Sequence, residues 1–236
     1  MIPLPTPQKY SARLASIEKI SGKVYLERFE LVEPKEITFL PGQTVMLYVA
    51  PGVNRAMSIA SPPSEKTSIM LVHDVSPMGS YSKWALVAAV GDPMEFMGPL
   101  GAFILDRESH RKKVFVATGT GIAPFYGMAV DYLTHNGTDS VTLYWGLRHE
   151  EDIFWQKEFE ELSHTYPTFR FVLTLSQPDD SWQGKRGHVQ DHILFQQNLR
   201  EAEYYVCGNK AMVDDMRVKL KSANVPDTQV KFELFY

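Results

Sequence analysis

The stretch KKVFVATGTGIAPFYGM, residues 112–128, decides the fold. Val114–Ala117 are compact and apolar, the signature of a strand covered on both faces. Gly119-Thr120-Gly121 follows at once, then an Ala-Pro pair and a helix-like run. Glycine removes the Cβ where a backbone must come close to something bulky. The helix that follows offers unpaired N–H groups and a positive dipole end to an anion. Pro124 suits its first turn, where the missing donor is of little consequence. A tight strand-to-helix connection would carry the same residues, and proline at 124 breaks the Gly-x-Gly-x-x-Gly pattern.

Outward from this stretch toward the C-terminus, VTLYWG (141–146), FRFVLTL (169–175), EYYVCG (203–208) and QVKFELF (229–235) are further apolar runs with helical segments between them. Trp155, Phe159 and Leu162 fall on one face of a predicted helix, and Met212, Met216 and Leu220 on one face of another; both stripes read as core. Alternation repeated five times predicts a five-stranded parallel sheet in an α/β domain. Toward the N-terminus the pattern changes. ARLASIEKI, KVYLERFELVE, QTVMLYVA and TSIMLVHDV are strand-like and are separated by the turn sequences EPKE, LPGQ, APGVN and SPPSEK. Short strands with regular turns predict an antiparallel β-barrel, interrupted by one helix near SYSKWALVAAV. The polar LDRESHRKK places the boundary between domains 1–108 and 109–236.

The 236 residues are 44% hydrophobic and 22% charged, with net charge −4, and no basic stripe suits a nucleic acid. No apolar run approaches the ~20 residues of a membrane span, and MIPLPTPQKY does not read as a signal peptide. A cytoplasmic protein is expected. Cys207 is the only cysteine, so these residues contain neither a disulfide nor a four-cysteine iron–sulfur site. His188 and His192 have a zinc-compatible spacing, but the neighbouring acid and a third ligand are missing, and no metal is expected.

Four other stretches carry candidate chemistry. In NRAMSIASPP (54–63), Arg55 and Ser58 point to opposite faces of a predicted strand. The arginine suits a phosphate and the hydroxyl a ring nitrogen, though a surface arginine and a turn serine fit as well. In PMGSYSKWA (77–85), Gly79, Ser80 and Ser82 open a helix, as an anion seat or an ordinary cap. YYVCGNKAMV (204–213) ends a buried strand in Cys207 and Gly208. KFELFY ends the chain with Glu233 beside two aromatics, Phe235 and Tyr236.

Taken in order, RAMS, GSYS, GPLGAF, GTGIAPF, WGLRHEEDIFW, CGNKAMV and the aromatic terminus resemble the ferredoxin–NADP⁺ reductase superfamily over nearly the whole chain. In size the chain is similar to flavin reductases and to oxygenase reductase modules without an iron–sulfur domain. The resemblance implies a flavin-binding barrel followed by an NAD(P)-binding α/β domain, with FAD rather than FMN. It assigns Arg55 to the flavin phosphate, Ser58 to flavin N5, and Gly79, Ser80 and Ser82 to the phosphate cradle. Gly119, Thr120, Gly121 and Pro124 become the dinucleotide loop, and Arg148 of WGLRHEEDIFW joins the cofactor contacts. Cys207 and Gly208 take the nicotinamide side, Glu233 is the C-terminal acid, and Phe235 or Tyr236 is the aromatic lid. The two rings are expected to stack where the halves meet.

Met57 departs from the family, which has an aromatic there to pack on the flavin. The implied activity is hydride transfer from NAD(P)H to FAD, with electrons leaving to a ferredoxin, an oxygenase component or free flavin. Loosely held flavin, released once reduced, and a non-catalytic nucleotide-binding subunit are the alternatives. In LSQPDDSWQGKRG (175–187), Gln177, Asp179 and Asp180 favour NADH over NADPH, against Lys185 and Arg186.

Overall fold

A computed structural model of the chain describes residues 3–76, 78–135, 137–194 and 198–235. Two compact units emerge. One comprises Met1–Leu105 with Ala123–Asp131, the other Asp106–Ile122 with Tyr132–Tyr236.

In the first unit, β1 (Gln8–Lys19), β2 (Val24–Glu33), β3 (Thr44–Ala50), β4 (Val53–Ser58), β5 (Ser68–Asp74) and β6 (Pro93–Leu100) form one antiparallel sheet, and helix α1 (Ser80–Ala85) lies between β5 and β6. The strand order is β4-β3-β6-β1-β2-β5. The two ends of this sheet meet just past β4, where Ala60 N–H donates to Met70 O at 2.8 Å and Met70 N–H donates to Ser61 Oγ at 3.1 Å. Register shifts in β1 let it bend with that curvature. Alternate residues face inward, and Leu14, Phe29, Val45, Leu47 and Phe96 are fully buried together. Strand β6 escapes the sequence reading. Its Met94 and Phe96 alternate inward with exposed Glu95, but two prolines and a glycine hide the pattern. The LPGQ turn needs its glycine: Gly42 has φ +96°, and a Cβ there would stand 2.1 Å from Phe103 O.

The second unit holds β7 (Lys112–Thr118), β8 (Val141–Leu147), β9 (Phe169–Leu175), β10 (Lys185–Arg186), β11 (Ala202–Gly208) and β12 (Val230–Leu234). All pair in parallel in the order β10-β9-β8-β7-β11-β12. The sheet therefore has six strands rather than the expected five. The added one is Lys185–Arg186, paired with Thr174 and Leu175, too short and too charged to read as a strand. The helices are α2 (Ala123–Thr134), most of which belongs to the first unit, α3 (Gln156–Thr165), α4 (Asp191–Leu194) and α5 (Lys210–Ser222). Met212, Met216 and Leu220 of α5 are buried as the stripe predicts. Trp155 instead precedes α3, in the left-handed region at φ 52°, yet it stays buried with its ring 6.5 Å from that of Phe159. No helix among the described residues is long and apolar enough to cross a membrane.

Candidate functional site

The order of the parallel sheet reverses between β7 and β11. From β7 the chain proceeds outward through β8, β9 and β10, whereas β11 and β12 lie on the other side. Ligands of open α/β sheets bind beyond the carboxyl ends of the strands at such a switch point. The sequence candidates of this unit gather there. Gly119–Ile122 form a 3₁₀ turn directly after β7, with Gly119 at φ +56°. Cys207 sits beside Ala117 of β7 and beside Glu233 of β12. Phe235 N–H donates to Gly208 O at 2.9 Å, tying the chain terminus to the same place.

The glycines there have an internal reason as well as a ligand-facing one. A Cβ on Gly121 would stand 2.5 Å from Cys207 O and 2.7 Å from Gly208 Cα. A Cβ on Gly208, at φ +151°, would stand 2.2 Å from Thr118 Oγ1. Two backbones thus pack on each other across the switch point, which only glycine permits. Gly119 differs: a Cβ on it would meet nothing within 4 Å, so its side is open. Pro124 lies in the first turn of α2 and is buried.

Thr118 and Asn209 complete the corner, although the sequence reading did not select them. Thr118 Oγ1 accepts from Asn209 N–H at 3.2 Å and from Asn209 Nδ2 at 3.0 Å. Asn209 Oδ1 in turn accepts from Met212 N–H at 3.0 Å and caps α5. An Asn directly before a helical stripe was the available signal. Cys207 is completely buried, and burial pushes its thiol well up from the ordinary cysteine value, with the Glu233 carboxylate adding to the rise. The thiol is therefore held protonated inside the sheet and is not a nucleophile.

At the next strand ends, Arg148 is exposed just past β8. Gln177 follows β9; its N–H donates to Arg148 O at 2.9 Å, and its carbonyl meets His149 Nδ1 at 2.8 Å. The Arg186 guanidinium donates to the carbonyls of Asp179, Asp180 and Trp182 at 2.8–3.2 Å, holding the loop shut on itself. His192 Nε2 meets Arg186 O at 2.9 Å.

In the first unit, Arg55 is half-buried in β4, while Ser58 at the end of that strand is 2% exposed. Met57 belongs to the barrel core at 4% exposure, so its thioether lies among apolar side chains. Gly79 precedes α1 with extended backbone, a Cβ on it would meet nothing within 4 Å, and Ser80 is exposed. No side chain caps the first turn of α1. Open space and a helix start without an N-cap side chain fit a flavin phosphate. Ser82 is turned the other way: it is buried, and its hydroxyl lies 3.1 Å from His73 Nε2. Tyr236 lies outside the described residues.

Comparison with known proteins agrees with both units. The Oxidoreductase FAD-binding domain family matches residues 11–104, and the Oxidoreductase NAD-binding domain family matches 115–218. Ferredoxin–NADP reductase B of Sorangium cellulosum is 32% identical over 220 residues, covering 89% of this chain and 90% of that protein. This chain belongs to the ferredoxin–NADP⁺ reductase superfamily. Other members are similar: the toluate 1,2-dioxygenase electron transfer component of Pseudomonas putida is 29% identical over 96% of this chain and 67% of its own length. This chain spans only 59% of the phenol 2-monooxygenase reductase component of a Pseudomonas species, at 30% identity. Among solved structures, the Amycolatopsis cytochrome P450 reductase GcoB superposes with a TM-score of 0.91 at 27% identity, covering all of this chain and 72% of that one. The reductase is an FAD-dependent NAD(P)H oxidoreductase, with FAD carried by the barrel unit and NAD(P)H by the parallel-sheet unit.

Proposed function

We propose that the chain takes hydride from NADH into FAD and passes electrons on to a ferredoxin or an oxygenase component. The observation that carries this reading is the convergence of the Gly119–Gly121 turn, Cys207–Gly208 and Glu233 on the switch point between β7 and β11. Names among the relatives, a ferredoxin–NADP reductase, a dioxygenase electron transfer component and a monooxygenase reductase component, support that class of acceptor. FAD, when bound, supplies a flavin N5 that accepts hydride from nicotinamide C4. Arg55, Gly79 and Ser80 would hold its phosphates, and Ser58 would donate to N5 and fix the ring. Gly119, Thr120, Gly121, Pro124 and Arg148 would hold the dinucleotide. Cys207 and Gly208 give the nicotinamide a flat, uncharged wall, and Glu233 supplies a carboxylate beside it. Phe235 or Tyr236 would cover the flavin until nicotinamide displaces it. A buried, reduced Cys207 suits a cytoplasmic setting.

NADH is favoured over NADPH because the Arg186 guanidinium is occupied by loop carbonyls, and Asp179 and Asp180 stand in the same loop. Those acids repel a 2′-phosphate. Met57 supports a second reading, a flavin reductase that releases reduced flavin, since a core methionine offers no ring for stacking. Purified protein should be yellow with a fixed FAD ratio, should bleach in anaerobic NADH titration, and should show higher kcat/KM with NADH than with NADPH. Colourless protein whose activity depends on added flavin would favour the second reading, and flavin that neither nucleotide reduces would overturn both.

A further inference from the structure

Trp145 opens the WGLRHEEDIFW stretch. It is fully buried on β8, yet its indole N–H finds its partner outside the sheet: Nε1 donates to Gly119 O at 2.9 Å. Trp145 stands in register with Ala117 of β7, and Ala117 in turn with Cys207 of β11, so the three side chains share one face of the sheet. The small side chain at 117 leaves the indole room to reach the turn that follows β7. Phe154 packs edge-on against the indole at 4.8 Å, and Phe171 lies 6.4 Å from it, so the ring is held where it is. The acceptor belongs to a residue with little steric restraint of its own. Gly119 has φ +56°, and a Cβ on it would meet nothing within 4 Å. At such a glycine the following peptide can rotate at small steric penalty, and a contact from outside the turn decides which way its carbonyl points.

We propose that Trp145 is a positioning residue for the dinucleotide: its indole N–H holds the Gly119 carbonyl inward and thereby presents the N–H of Thr120 to the nucleotide diphosphate. This rests on the reading of the Gly119–Gly121 turn as the dinucleotide loop. A trans peptide is planar, with its C=O and N–H on opposite sides. With Gly119 O on the buried indole, the N–H of Thr120 points away from it. Released from the indole, the same peptide can turn over and offer its carbonyl oxygen, which repels a phosphate where the N–H attracts it. The flanking residues lack that freedom. Gly121 lies against Cys207 O and Gly208 Cα, and the hydroxyl of Thr118 is held by Asn209. A core tryptophan that merely needs a partner for its N–H stabilises the fold and leaves nucleotide affinity alone, so the two roles separate by experiment.

Trp145→Phe keeps an aromatic ring and removes the donor. Steady-state kinetics with NADH are set beside hydride transfer from 1-benzyl-1,4-dihydronicotinamide, a donor without phosphate. Competitive inhibition by ADP-ribose, which carries the diphosphate and no nicotinamide, is measured alongside. In the variant the KM for NADH and the inhibition constant of ADP-ribose should rise together, about three- to tenfold, the worth of one hydrogen bond. The kcat, the FAD content and the rate with the benzyl compound should stay close to wild type. Unchanged KM and inhibition constants, or a loss of equal size with the benzyl compound, overturn the proposal. If Trp145→Phe does not fold, replacement of Trp145 by 3-benzothienylalanine, an isostere with sulfur in place of the N–H, is read by the same outcomes. Wild-type protein that neither oxidises NADH nor binds ADP-ribose overturns this proposal and the proposed function together. Ordinary wild-type kinetics with an indifferent variant overturn this one alone.

Discussion

Cys207 shows how one side chain takes its character from its surroundings. Its register between Ala117 and Glu233 buries it completely, and burial keeps the thiol protonated. Native protein should therefore resist thiol reagents that label it readily after denaturation. If nicotinamide packs beside Cys207 as proposed, Cys207→Ser is expected to slow flavin reduction by NADH about tenfold or more in stopped flow, because replacing sulfur by a hydroxyl alters the packing on that side. Flavin content should not change. The residue itself was legible, as the sole cysteine ending an apolar run. That Gly121 and Gly208 press on each other was not, since neither run refers to the other. Nor did LVHDV or LERF reveal that His73 and Glu27 face one another; a polar residue at an inward position of each strand was the only hint.

At the scale of the element, strands and helices followed local pattern where the pattern was clean. The α5 stripe and the β7 run came through as read, while β6 was hidden by its prolines and β10 by its length. Trp155 matched a helical spacing yet stands just outside α3, because its positive φ begins the turn into that helix. The capping of α5 adds a link that spacing could not show: Asn209 joins the helix start to Thr118 at the end of β7. Asn209→Ala should lower stability by about 1 kcal/mol, as loss of an N-cap does. It should also raise the KM for NADH several-fold while leaving flavin content intact, since the cap anchors Thr118 beside the Gly119–Gly121 turn that is proposed to hold the dinucleotide. Chemical denaturation and steady-state kinetics on the same preparation separate the two effects.

For the whole molecule, ionisation sets an alkaline limit. Burial raises the values of Cys207, Tyr81, Tyr204 and Tyr205, with Glu27 adding to Tyr81 and Glu233 to Cys207. Each folded group keeps a proton that the unfolded chain gives up, so stability is present below the unfolded value and falls as pH rises past it. Unfolding free energy should hold near neutrality, begin to fall above about pH 8.5 with the thiol, and fall more steeply above about pH 10 with the tyrosines. Denaturant titrations at successive pH values check this, and a flat profile to pH 10.5 would contradict it.

The sequence by itself determined the two halves, their strand and helix grammar and the order of the motifs, because hydrophobic period and turn chemistry are properties of neighbouring residues. Tertiary structure alone decided that β11 lies against β7, that Thr118 meets Asn209, and that Glu27 reaches His73. Strand order comes from pairing between distant segments, and a local pattern holds no information about which distant edge a strand will join.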